Sequence, residues 1–135
     1  MKIKIDCNDI AFSKLVRMNH TVCQRYGKPL KLQCCHIFSR KYYTTRFDED
    51  NAVVLCWNCH NWFDTHKMSA CLFDASKRVF TQDEEGYAFL VDWLGYTWDQ
   101  LEELYHKSRQ IYKGYKAKKK DIGREIKEKT LLKEE

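Results

Sequence analysis

Between residues 34 and 66, in the run CCHIFSRKYYTTRFDEDNAVVLCWNCHNWFDTH, a histidine (His36), an asparagine (Asn51) and a second histidine (His60) follow in order. The Cys-x-x-Cys pair Cys56 and Cys59 runs directly into the last. Imidazoles titrate near neutrality and either carry protons or bind metals; paired thiolates hold a borderline ion such as Zn²⁺. Upstream, Cys23-Gln-Arg-Tyr26-Gly27-Lys28-Pro29 has the outline of a zinc knuckle, a tight Gly-containing turn on which two thiolates converge. Tyr26 stands where the second cysteine belongs, and tyrosine is a poor zinc ligand. A zinc site on Cys23, Cys56 and Cys59 therefore needs a fourth donor from Cys34, Cys35, another side chain or water. The alternative is a decayed site in which Cys23 is only a buried thiol.

The rest of the chain limits what can position these groups. At 135 residues and 44% hydrophobic content there is room for one domain (1–135) with a modest core, a size at which a structural metal commonly helps. The N-terminus MKIKIDCNDIAF has no apolar run of signal-peptide length, and nothing downstream is long enough to span a membrane. The cysteines then read as reduced, partly metal-bound and cytoplasmic. The net charge of +5 is unevenly spread: residues 106–135 hold 11 Lys/Arg against 5 Asp/Glu, while residues 1–105 sum to −1. The basic excess lies in the tail.

Taken in order, Asp9 caps a helix with Ile10, Phe12, Leu15, Val16 and Met18 roughly on one face, ending near Asn19. Lys14 and Arg17 face outward. Residues 30–38 alternate loosely between Pro29 and a polar run and read as a strand; residues 52–55 form a second, and a helix follows from 57 to about 66. Alternation puts Cys34 and Cys35 on opposite strand faces, so one ion takes only one of them. Cys71, Leu72, Phe73, Val79 and Phe80 form an apolar connector with a turn at residues 74–76. From residue 83 a helix runs to Gly95, and Thr97 caps another carrying Leu101, Leu104, Ser108 and Ile111. The last helix, with Ile122, Ile126 and Leu131 at helical intervals, could pair two copies of the chain.

The order of histidine at the end of the first strand, asparagine before the second and histidine at the helix start resembles the His-Asn-His (HNH) nucleases of the ββα-metal fold. CCHIFSRKYYTTRFDEDNAVVLCWNCH, with the upstream FSKLVRMNHTVCQRYGK and the basic tail, further resembles phage recombination endonucleases of the NinG (Rap) type. The resemblance implies an α+β domain with a zinc-braced ββα core at about residues 20–70 and a helical basic extension over about 83–135. It implies metal-dependent hydrolysis of DNA phosphodiesters, with His36 as general base and Asn51 orienting that imidazole or its loop. His60 would bind Mg²⁺ or Mn²⁺, with Asp64 four residues on along the same helix face. The position before the base often supplies another metal ligand, and here it is Cys35, whose soft thiolate would favour a softer ion. Cys34 is then the favoured fourth zinc ligand.

Arg40, Lys41 and Arg46, in the loop between His36 and Asn51, suit phosphate contact, with a solvated loop as the alternative. Lys118, Lys119 and Lys120 in the tail suit sequence-independent backbone contact. No reader of base edges is visible, which favours a nonspecific enzyme or one selective for branched or single-stranded DNA. The rival is a zinc-binding nucleic-acid module without cleavage activity, acting as a recombination accessory.

Overall fold

The computed structural model describes residues 4–66, 73–74, 79–80 and 84–135. Its centre is a two-stranded antiparallel hairpin of β1 (Leu32–His36) and β2 (Ala52–Cys56), in which Leu32 pairs with Cys56, Cys34 with Val54 and His36 with Ala52. Helix α3 (Trp57–His66) leaves β2 with no residue between them, completing the expected ββα unit. The β2 sequence AVVLC is apolar on both faces because both are covered. Ala52 and Val54 pack with Phe12, Leu15, Val16 and Ile126. Val53 and Leu55 pack with Ile37, Phe38, Phe63, Phe89, Leu90 and Leu101. The outer edge of β2 is closed by Gln24, whose N–H donates to the Val54 carbonyl (2.9 Å) and whose side-chain oxygen accepts from the Val54 N–H (2.7 Å).

The first layer is α1 (Cys7–Arg17). Its N-cap is Asp6 rather than the expected Asp9: the Asp6 carboxylate accepts from the N–H groups of Asn8 and Asp9, and Asp9 reaches back to the Asp6 N–H. Ile10, expected on the buried face, is 66% exposed, while Phe12, Leu15 and Val16 are buried. Helix α6 (Tyr115–Glu134) starts after Gly114, at φ +81°, and lies along α1. Its Gly123 allows the close approach, because a Cβ there would sit 2.8 Å from the Asn8 side-chain oxygen. Ile126 is buried between the layers, whereas Leu131 is 52% exposed, so the expected apolar stripe stops short.

The other layer holds α4 (Glu84–Ala88), which continues as a π-helical turn over Phe89–Trp93 and ends before Gly95 at φ +83°, and α5 (Trp98–Ser108). Thr97 and Gln100 form a capping box on α5, as its sequence suggests. The strands β3 (Phe73–Asp74) and β4 (Val79–Phe80) pair antiparallel; Cys71, Leu72 and the turn expected over 74–76 lie outside the described residues in whole or part. Among the described residues no helix is long and apolar enough to cross a membrane.

The connection from β1 to β2 carries a short helix α2 (Tyr43–Arg46) and a 3₁₀ turn (Glu49–Asn51). Both C-terminal helices clamp this connection. Lys107 of α5 pairs with Asp48 at 2.6 Å, and Lys133 of α6 pairs with Glu49 at 2.8 Å. The Tyr96 hydroxyl donates to the Asp50 carbonyl at 2.7 Å. These contacts hold the turn that delivers Asn51.

Candidate active site

Three thiols meet at one end of the ββα unit. Cys23 enters from the knuckle turn, in which the Gly27 N–H donates to the Cys23 carbonyl (2.7 Å) and Gly27 takes φ +71°. Cys56 ends β2 and Cys59 lies in the first turn of α3. Their sulfurs are all within 4.8 Å of one another, and all three residues are buried. Burial opposes ionisation of Cys23, but backbone N–H groups of Cys56, Tyr26 and Arg25 outweigh it and hold its thiol below the usual range. Burial, with the crowding sulfurs of Cys56 and Cys23, pushes Cys59 up to about 12. The Arg25 guanidinium, stacked 3.7 Å over the Trp62 ring, lies 3.9 Å from the Cys59 sulfur. Three convergent thiols with a cation beside them fit a zinc ion, whose ligation requires thiolates.

Among the described residues no other cysteine, histidine or carboxylate completes that group. Tyr26 is 56% exposed. Cys35 is buried in the core that includes Ile37, Val53 and Phe63. Cys34, on the opposite strand face, packs towards α1, and burial pushes its thiol up to about 12.

His36 ends β1, and its ring is held by a backbone group: Nε2 lies 2.8 Å from the Arg46 carbonyl at the end of α2. A carbonyl only accepts, so Nε2 carries the proton and Nδ1 the lone pair of the neutral ring. Asn51, fully buried, bonds the connecting loop rather than the imidazole. Its amide donates to the Phe38 carbonyl (2.9 Å) and the Thr45 carbonyl (3.1 Å), and its oxygen accepts from the Phe38 N–H (2.8 Å). Three such bonds at a buried amide, each worth about 0.5–1.5 kcal/mol net, tie both ends of the loop beside His36.

His60 and Asp64 share a face of α3, with Nε2 3.4 Å from the carboxylate. His60 Nδ1 lies 2.5 Å from the Gln33 side-chain oxygen and donates to it, which turns Nε2 towards Asp64. Gln33, His36, Arg40, His60, Asp64 and Arg17 line one groove of about 1070 Å³ between α1, β1 and α3. Gln33 and Asp9 carry no sequence signal for this site, since each acts through a residue distant in the chain. The His66 side chain lies outside the described residues.

The loop cations separate. Arg40 lines the groove, 3.9 Å from Asp9. Lys41 is exposed outside the groove lining, with its ammonium 5.0 Å over the Tyr42 ring. Arg46, expected at phosphate, is instead 2% exposed and engaged by Asp9 through Nε at 2.9 Å and Nη2 at 2.5 Å. The reason is local: Tyr43, Phe47 and Tyr115 close around its guanidinium, and a buried charge must be paired. Lys118 and Lys120 are exposed on α6, whereas Lys119 is half-buried and its carbonyl accepts from Asn8.

Residues 21–69 match a family model described as HNH endonuclease. No curated protein and no solved structure matches the chain. The matched stretch contains the thiol triad, His36, Asn51, His60 and Asp64, on the hairpin and helix described above. Residues 21–69 are thus an HNH endonuclease domain, the catalytic unit of a family of metal-dependent phosphodiester hydrolases.

Proposed function

We propose that this chain is a DNA endonuclease, its 135 residues working as one nuclease domain, with His36 as general base. The observation that carries the reading is the convergence of His36, His60, Asp64 and Arg40 on one groove. With Nε2 bonded to a carbonyl, the His36 lone pair on Nδ1 is the proton acceptor for the attacking water. Asn51 acts through the loop, holding residues 38–45 in the conformation that presents the Arg46 carbonyl. Arg40 and Arg17, which both line the groove, suit a phosphate, and exposed Lys41, Lys118 and Lys120 suit flanking backbone.

His60 Nε2 and the Asp64 carboxylate offer one imidazole and one oxygen donor, a set that suits Mg²⁺ or Mn²⁺ completed by water and phosphate. Such an ion supplies charge stabilisation for the phosphorane and the leaving oxygen. The thiol triad would hold a structural zinc, with a fourth ligand from solvent, and so brace the start of the helix that carries His60. The sequence resemblance points to phage recombination in a bacterial cytoplasm, with branched or single-stranded DNA as substrate. The rival non-catalytic zinc module draws on exposed Tyr26 and core-buried Cys35, each a departure from an intact metal pattern.

Titration of the zinc-loaded protein with Mn²⁺ separates the two. Wild type is expected to bind one Mn²⁺ beyond the zinc, His60→Ala to lose that binding, and Asp64→Asn to weaken it by roughly tenfold or more. Cleavage should fall in the same order. A zinc-loaded wild type with no second ion site and no cleavage would establish the accessory module instead.

A further inference from the structure

We infer that Arg46 and Asp9 are positioning residues for His36: their buried two-bond ion pair locks the backbone carbonyl that sets the ring of the base. This rests on the reading of His36 as base.

The His36 ring takes its orientation from a carbonyl at the end of a four-residue helix. A helix that short has no stability of its own, so its carbonyl stays where its anchors put it. Asn51 provides one anchor, through the Thr45 carbonyl. The Arg46 side chain provides another, at the residue whose carbonyl sets the ring. Both carboxylate oxygens of Asp9 are engaged, and Nη2 also donates to the Lys4 carbonyl at 3.2 Å. Two parallel bonds from a planar fork fix direction as well as distance, which a single ammonium contact does not. Burying such a pair is a poor route to stability, because desolvation offsets much of the attraction. Orientation is what it supplies here.

The support reaches outside the matched stretch on both sides. Asp9 belongs to α1, and its carboxyl is held below the usual range because, although burial opposes it, hydrogen bonds from Arg46 and the Asp6 N–H and the charges of Arg46 and Arg40 outweigh that cost. Tyr115 opens α6; its ring closes over Arg46, and its hydroxyl donates to Asp6 at 2.5 Å and accepts from Asn8 at 3.3 Å. Phe12 of α1 lies 5.8 Å from the His36 ring, centroid to centroid. The flanking helices thus complete the setting of the base rather than merely enclosing the core.

The test is Arg46→Lys, which keeps the charge and removes the fork. At a temperature where denaturation curves show the variant fully folded, kcat for DNA cleavage should fall by about 10- to 100-fold, with KM within about twofold of wild type, since Arg46 does not face the groove. Long-range ¹H–¹⁵N spectra should show His36 as the Nε2–H tautomer in wild type and as a tautomer mixture in the variant. Unchanged kcat with an unchanged tautomer would overturn the inference, as would a kcat loss accounted for by the unfolded fraction. If Arg46→Lys does not fold, Asp9→Asn, which keeps the shape and removes the charge, is read by the same spectrum and by kcat, and not by KM, because Asp9 lines the groove beside Arg40. His36→Ala separates the two levels: if it cleaves at the wild-type rate, the base reading fails, while the tautomer spectrum still decides whether Arg46 and Asp9 fix the ring.

Discussion

Replacing His36 with alanine is expected to slow DNA cleavage by about 100- to 10,000-fold, the usual contribution of a positioned general base. The expectation rests on one hydrogen bond. Donation from Nε2 to the Arg46 carbonyl assigns the lone pair to Nδ1, so the ring is preset as an acceptor before substrate arrives. Truncation removes that acceptor without touching His60, Asp64 or the thiol triad, so Mn²⁺ binding, zinc content and DNA binding should survive. Plasmid nicking and fluorescence anisotropy on the same folded preparation measure both halves. A His36→Ala protein that cuts within a few-fold of wild type would transfer the base to another residue.

Cys59→Ser is expected to release zinc and lower the melting temperature by roughly 10 °C or more, taking a loss of about 3 kcal/mol at roughly 4 °C per kcal/mol for a domain of this size. Cys59 is fully buried, one residue before His60 and within 4.8 Å of the Cys23 and Cys56 sulfurs. Three elements meet at it: the knuckle, the end of β2 and the start of α3. Releasing the ion therefore loosens the turn that aims His60, and cleavage should fall with stability. Metal analysis and thermal unfolding check this; a variant that keeps one zinc per chain and its melting temperature would show that Cys59 is an ordinary core thiol.

The ββα core is legible in the sequence because each element has a local signature. Alternation marks β1, a short apolar run before Cys56 marks β2, and the abrupt change to Trp-Asn-Cys-His marks α3. Thr97 as the cap of α5 and Gly95 as the stop before it are equally local, and the structure has them where the sequence puts them. What escapes depends on partners far along the chain. Arg46 reads as a loop cation suited to phosphate, because nothing near it announces Asp9, which lies 37 residues upstream. Asp9 itself reads as a cap, since Asp6 and Asp9 stand three apart and the capping box uses both. Gln33 shows no pattern at all until α3 folds back and sets His60 against it. Ile10 follows the apolar period of α1, but its face opens on the groove instead of the core.

The most direct measurement is nicking of supercoiled plasmid and of a synthetic four-way junction by zinc-loaded wild-type protein, with and without added Mg²⁺ or Mn²⁺, zinc content being followed throughout. The expected result is cleavage that requires the added ion while the zinc stays bound, with the preferred DNA distinguishing a branch-selective from a nonspecific enzyme. Folded, zinc-loaded protein that binds both DNAs and cuts neither with any ion would contradict the assignment of this groove as a working nuclease site.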